Sequence, residues 1–200
     1  MNLWENEDRL FETGISNICG VDEAGRGPLA GPVFAAAVIL PRHINIEGLD
    51  DSKKLSEKKR EQLFDIIIQN AVSYCISSAS HEEIDRTNIL NATFLAMNRA
   101  ISGLSLTPDI ALIDGNMNKG ITSPNECIVG GDGKSASIAA ASILAKVSRD
   151  RHMVKMAEIY PWYAFEKHKG YGTKLHYEHI KTYGACEIHR LTFLKKLSSR

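Results

Sequence analysis

Gly20-Val21-Asp22-Glu23-Ala24-Gly25-Arg26-Gly27-Pro28 places two adjacent carboxylates at the end of an apolar run and leads straight into a Gly-Arg-Gly turn. A buried, unpaired charge is strongly disfavoured, so acids at the end of a buried strand call for a counter-charge. A cation held between them supplies one. The glycines that follow leave the backbone bare beside that cation, open to close approach by something large and polar. The stretch therefore reads as a strand ending in a metal-dependent phosphodiester site.

Two further acids repeat the pattern. Asp114 closes the run Ile110-Ala111-Leu112-Ile113 and is followed by Gly115, and Asp132 follows Cys127-Ile128-Val129-Gly130-Gly131 and is followed by Gly133. In open α/β sheets ligands gather outside the carboxyl ends of strands. Carboxylates converging there suit a hard cation such as Mg²⁺ or Mn²⁺, and without one some of them would be driven to protonate. Taken alone, Asp114-Gly115 and Asp132-Gly133 are turn pairs; beside Asp22-Glu23 they read as partners in one ligand set. Successive strand side chains point to opposite faces, so a cation shared by Asp22 and Glu23 predicts a bend or bulge at Glu23, and a regular strand through Ala24 counts against it.

The 200 residues suit one domain. The formal net charge is zero, but its distribution is uneven. After Lys146 the chain carries eleven Lys and Arg against five Asp and Glu, a basic third of the kind a phosphate-tracking groove uses. No apolar run reaches membrane-spanning length. The start, Met1-Asn2-Leu3-Trp4-Glu5, lacks the basic and apolar parts of a signal peptide. Cys19, Cys75, Cys127 and Cys186 form no Cys-x-x-Cys pair, which argues against zinc and disulfides and for a reducing cytoplasm. Gly133-Lys134-Ser135 is not a phosphate loop, because the required upstream glycine is Ile128.

Strands are expected over 18–22 and 33–40 as a hairpin, then near 72–78, 109–113 and 126–129. Helices are expected over 56–70 capped by Ser56, over 88–101, and over 135–160 until Pro161 interrupts. Short helices follow. Strands in hairpin, then strands alternating with helices, imply a mixed sheet flanked by helices.

These motifs together resemble the bacterial ribonuclease HII family, from about Ile18 to about Phe193. The matching segments are the one from Gly20 through Pro32, Asp51-Ser52-Lys53-Lys54-Leu55, Asp114-Gly115, Gly131-Asp132, Ser142 through Val147, and His168-Lys169-Gly170-Tyr171-Gly172-Thr173. The resemblance implies an α/β ribonuclease H-like fold: a mixed five-stranded sheet flanked by helices over about 18–160, and a small helical C-terminal portion over about 161–200, in a single domain. It implies Asp22, Glu23, Asp114 and Asp132 as catalytic metal ligands. Gly25, Arg26 and Gly27 become a turn whose backbone meets the 2′-hydroxyl, the group that separates RNA from DNA. Tyr171 packs against the nucleotide at the RNA–DNA junction. Lys53 is a candidate phosphate contact, with Lys146, Ser148 and Arg149 as weaker candidates on the long helix. The implied reaction is two-metal hydrolysis with Mn²⁺ or Mg²⁺, in which ions about 3.5–4 Å apart serve both the attacking and the leaving oxygen. The implied substrates are RNA–DNA hybrids and duplex DNA carrying embedded ribonucleotides, cut on the 5′ side by a monomeric cytoplasmic enzyme that removes misincorporated ribonucleotides and primers. A binding module that has lost its chemistry, or a phosphatase of small substrates, remain as other classes. His189-Arg190-Leu191-Thr192-Phe193 carries Leu and Thr where the family pattern leads one to expect a basic residue and Ser.

Overall fold

A computed structural model describes residues 2–50, 52 and 55–195. Five strands, β1 (Ile18–Ala24), β2 (Val33–Ile39), β3 (Ser73–Ala79), β4 (Ile110–Asp114) and β5 (Asn125–Ile128), form one sheet in the order β3-β2-β1-β4-β5. The β1/β2 and β2/β3 pairs are antiparallel. The β1/β4 and β4/β5 pairs are parallel. The mixed five-stranded sheet expected from the sequence is present, and β1 sits at its centre, where the antiparallel half meets the parallel half.

Helices α1 (Glu5–Glu12), α2 (Glu57–Asn70), α3 (His81–Thr87), α4 (Ile89–Ser102) and α5 (Ala136–Ile159) surround the sheet. Strand alternation divides the core in two. Cys19 and Val21 of β1 and Ala111 and Ile113 of β4 pack with Phe94, Met97 and Ile101 of α4. On the opposite face Ala24 of β1 and Ala36 and Val38 of β2 pack with the alanine-rich first half of α5 and with Leu63, Phe64 and Ile67 of α2. Small side chains let α5 lie very close to β1: a Cβ at Gly20 would stand 2.0 Å from the Ser137 carbonyl carbon.

Ser56 caps α2 by accepting from the Lys59 N–H, as its sequence position suggests. Two helices were not foreseen. The first is α1, whose Glu7 is buried with Oε1 accepting from Ser135 Oγ and the Ser137 N–H at the start of α5. The second is α3, closed at Asn88, which at φ +86° also caps α4. After Pro161 come α6 (Phe165–His168), α7 (Lys174–Tyr183) and α8 (Leu191–Leu194). α6 and α7 pack around a separate cluster of Tyr163, Phe165 and Ile188 with Ala30 and Met153, while Phe193 of α8 packs against the core on the α4 side of the sheet.

One expectation is corrected. β1 has no bulge at Glu23: its pairing with β2 runs unbroken from Gly20↔Val38 to Ala24↔Phe34. Asp22 and Glu23 therefore leave opposite faces of the sheet, because the ladder on the β2 side continues one residue beyond both acids and holds them in the pleat.

Candidate active site

Register alone brings two acids side by side. The parallel pairing of β1 and β4 ends at Val21↔Ile113, so the next pair in sequence is Asp22 beside Asp114. Both lie on the α5 face, since Leu112, two residues before Asp114, packs against Ile138 of α5. The third acid arrives from the loop between β5 and α5. Gly130 turns back at φ +66° into a 3₁₀ turn over Gly131–Gly133 that carries Asp132. The Gly131 N–H donates to Asp114 Oδ1 at 2.7 Å, which seats this turn against the end of β4. A Cβ at Gly131 would lie 2.6 Å from Ile138 Cδ1 and 3.3 Å from Asp114 Oδ1, so a side chain would push Asp132 away.

Asp22, Asp114 and Asp132 consequently offer carboxylate oxygens that all lie within 4.8 Å of one another. Asp22 and Asp132 are buried, and Asp22 Oδ1 accepts the Glu23 N–H at 2.7 Å. Three carboxylates at this spacing repel unless a cation or protons intervene. An all-oxygen donor set on backbone-fixed side chains fits a hard divalent cation. Glu23 is not in this group. It faces the α4 side and approaches Arg26 Nη1 at 3.4 Å, yet it lines the same cleft as Asp22 and Asp114.

That cleft measures about 450 Å³ and is bordered by Gly25, Arg26, Gly27, Lys146 and Tyr171. Tyr171 is 40% exposed. Its ring stands 3.7 Å from the Cβ position of Gly27 and beneath two cations, Lys146 Nζ at 5.8 Å and Arg149 Cζ at 5.5 Å from the ring centroid. Lys146 is also paired with Asp150 at 2.8 Å.

The weaker candidates divide. Lys146 reaches the cleft wall, whereas Ser148 is not among the cleft-lining residues. Arg149 is fully buried beneath the turn, where it donates to the carbonyls of Pro32 (3.2 Å) and Ala30 (3.3 Å). In that position it is a brace under the loop and is removed from any phosphate in the cleft. Gly25, at φ +99°, sits directly above it, with Arg149 Nε 2.0 Å from its Cβ position. Lys53 lies outside the described residues.

Sequence reasoning missed Ser52, Arg60 and Ser142, which also border the cleft. Arg60 donates to the carbonyls of Ser52 and Leu55, and Ser142 Oγ donates to Ser52 Oγ at 2.6 Å. Ser142 and Lys146 share one face of α5 at i, i+4 spacing, a signal that was available. Arg190 was missed as well. It is fully buried, and burial, with the Arg149 charge second, pulls its pKa down to about 9.

Three histidines pack together in the C-terminal portion. His168, His176 and His189 are buried among Tyr163 and Phe165, and each ring is placed by neutral hydrogen bonds. The Cys186 N–H donates to His189 Nδ1 (2.9 Å), His189 Nε2 meets His176 Nε2 (3.1 Å), and His176 Nδ1 meets the Tyr171 carbonyl (2.9 Å). A carbonyl only accepts, so His176 carries its proton on Nδ1 and His189 on Nε2. The chain of imidazoles thus supports the backbone of Tyr171.

Comparison with known proteins agrees with this geometry. A family model described as Ribonuclease HII matches residues 19–196. The chain is 56% identical over 196 residues to the Ribonuclease HII of Caldicellulosiruptor saccharolyticus, covering 98% of this chain and 96% of that one. It is 57% identical to the Ribonuclease HII of Endomicrobium trichonymphae, covering 96% and 92%. Among solved structures, ribonuclease H2 from Pyrococcus horikoshii superposes with a TM-score of 0.73 at 28% identity, covering 88% of this chain and 93% of that one.

Proposed function

This chain belongs to the ribonuclease HII family, and we propose that it works through the cleft at the ends of β1 and β4, with Asp22, Glu23, Asp114 and Asp132 as its catalytic carboxylates. It is a divalent-metal-dependent endoribonuclease. It hydrolyses the RNA strand of RNA–DNA hybrids and nicks duplex DNA 5′ to an embedded ribonucleotide, leaving 3′-hydroxyl and 5′-phosphate ends. The observation that carries the residue assignment is the meeting of three carboxylates within 4.8 Å beside a glycine turn at the carboxyl ends of two parallel strands.

Asp22, Asp114 and Asp132 would hold the first Mg²⁺ or Mn²⁺, and Glu23, reaching the cleft from the other face of β1, would complete the set for a second when substrate is bound. Bound divalent ions supply Lewis-acid stabilisation of the attacking and leaving oxygens. The protein's own groups do the rest. The backbone of Gly25, Arg26 and Gly27 reads the ribose 2′-hydroxyl, a donor and acceptor absent from DNA. Tyr171 offers a flat, sequence-tolerant surface to the nucleotide beside it. Lys146 on the cleft wall places positive charge where the phosphate backbone passes, and Lys53 is proposed from its sequence segment alone as a further phosphate contact. No described helix is long and apolar enough to cross a membrane. The four cysteines are free thiols, which supports a reducing, cytoplasmic setting.

The test is direct. Purified protein is incubated with Mg²⁺ or Mn²⁺ and duplex DNA carrying one ribonucleotide. Expected is a single nick on the 5′ side with a 3′-hydroxyl end; absence of cutting with both ions from neutral to alkaline pH overturns the reading. Asp22→Asn should bind the duplex and fail to cut it, which separates an enzyme from a binding module.

A further inference from the structure

Arg190 comes from the C-terminal portion, far in sequence from the turn that it serves. Its guanidinium spends all three nitrogens on that loop: Nη2 donates to the Gly25 carbonyl at 2.6 Å, Nη1 to the Arg26 carbonyl at 2.9 Å and Nε to the Gly31 carbonyl at 2.9 Å. Among the described residues it has no carboxylate in ion-pairing distance. A second guanidinium, that of Arg149, is buried under the same loop. Two buried cations with no close ion pair among the described residues are a poor way to stabilise a fold, since apolar side chains of similar volume fill such space with less desolvation. The pair makes sense if the loop's conformation is what matters.

Peptide geometry says what that conformation is. In a planar trans peptide the N–H of one residue points opposite to the C=O of the residue before it. The structure has no cis peptide among the described residues. With the carbonyls of Gly25 and Arg26 drawn inward to Arg190, the N–H groups of Arg26 and Gly27 point the other way. Arg190 is fully buried, while Gly25, Arg26 and Gly27 border the cleft, so the other way is outward. No acceptor for either N–H occurs among the described residues.

We propose that Arg190 is a positioning residue for ribose recognition, its fork of three hydrogen bonds turning the Arg26 and Gly27 amides into a fixed pair of donors for the 2′-oxygen of the substrate. The inference rests on the turn's role as the 2′-hydroxyl reader. The anchor of Arg190 is itself anchored: the N–H groups of Leu191 and Thr192 donate to Asp85 of α3 at 2.7 and 3.0 Å, and the Arg190 N–H donates to the Leu29 carbonyl at 2.8 Å.

The experiment compares kcat/KM on two duplexes that differ at one nucleotide, a ribose in one and a 2′-fluoro-2′-deoxyribose in the other. Wild-type protein, Arg190→Lys, Arg190→Gln and Asp85→Ala are measured at a temperature where melting curves show each folded. The wild type should prefer ribose; if it does not, the 2′-hydroxyl reading of the turn itself fails. Given that preference, both Arg190 variants should lower the ribose-to-fluoro ratio at least tenfold, through kcat more than KM. Lysine should not rescue, because one ammonium cannot span three carbonyls. Asp85→Ala should move the ratio in the same direction by less, and it alone decides if the Arg190 variants do not fold. A folded variant with the wild-type ratio, or full rescue by lysine, overturns the role assigned to Arg190.

Discussion

A single methyl group at Gly20 is expected to damage both stability and catalysis. Gly20 lies mid-strand in β1, paired with Val38 on one side and Leu112 on the other, so the strand cannot move sideways. A Cβ there would stand 2.0 Å from the Ser137 carbonyl carbon, 2.2 Å from the Ile138 nitrogen and 2.4 Å from the Ser137 oxygen, all backbone atoms. Reaching ordinary contact at 3.4 Å requires α5 to retreat by about 1.4 Å. Overpacking of this kind costs about 1–3 kcal/mol, and backbone against backbone belongs at the upper end. At roughly 2–4 °C per kcal/mol for a chain of this size, Gly20→Ala should melt roughly 6–12 °C below wild type. The same retreat separates Asp22 on β1 from Asp132 at the entrance to α5. A misplacement of about 1 Å can reduce turnover about 100-fold. Thermal melts and kcat/KM on a single-ribonucleotide duplex, each across a range of Mn²⁺ concentrations, measure both effects. Gly14→Ala is the control: Gly14 has φ +90° but no atom within 4 Å of its Cβ position, so it should show backbone strain alone and full activity. A Gly20→Ala protein that melts within 2 °C of wild type and keeps its kcat/KM within about twofold would refute the close-packing argument.

Further expectations concern the acids, the histidines and Tyr171. Asp22→Asn should retain duplex affinity while kcat falls by about 100-fold or more, since each ion's contribution is several kcal/mol; an equal loss of affinity and turnover contradicts its assignment. Mn²⁺ or Mg²⁺ should raise the melting temperature of the wild type by binding the native cluster, and this rise should shrink in Asp132→Asn; an equal rise in both proteins places the ion elsewhere. His176 and His189 are each pushed down to about 4, chiefly by burial, whereas the unfolded chain takes up these protons near 6.5. The unfolded state therefore binds more protons below about 6.5, so stability is full above that pH and declines as pH falls toward about 4. Melts between pH 8 and 5 check this, and a flat profile through pH 6 is the contrary result. Tyr171→Ala should lower kcat/KM on a single-ribonucleotide duplex by about 5- to 150-fold, the equivalent of about 1–3 kcal/mol of stacking, and Tyr171→Phe should recover most of it. Wild-type kinetics in Tyr171→Ala would exclude the contact.

Much of the fold was legible because its signals are local. Ser56 announces α2, the alanines after Ser135 announce a helix that packs closely, and the apolar runs that end at Asp22-Glu23 and at Asp114 are strands, whereas β5 stops at Ile128 and Asp132 sits in the turn beyond it. The α1 helix was not legible. Its residues are mostly polar, and it is held by Glu7 reaching across 128 positions to Ser135. Arg149 is a weaker phosphate candidate by its place on a basic helix, and only the loop folded over it, with Gly25 directly above its guanidinium, makes it a brace.

The chain's order of residues was enough to single out four candidate acids, a candidate glycine turn and the strands that carry Asp22, Glu23 and Asp114, since strand propensity, turn chemistry and charge are properties of short segments. Which of those acids stand close enough to share an ion was decided in three dimensions. The register of β1 on β4 sets Asp22 beside Asp114, an N–H of Gly131 draws Asp132 to them, and the unbroken pleat sends Glu23 to the other face. Hydrogen-bond register and burial depend on partners distant along the chain, and no window of sequence contains both members of such a pair.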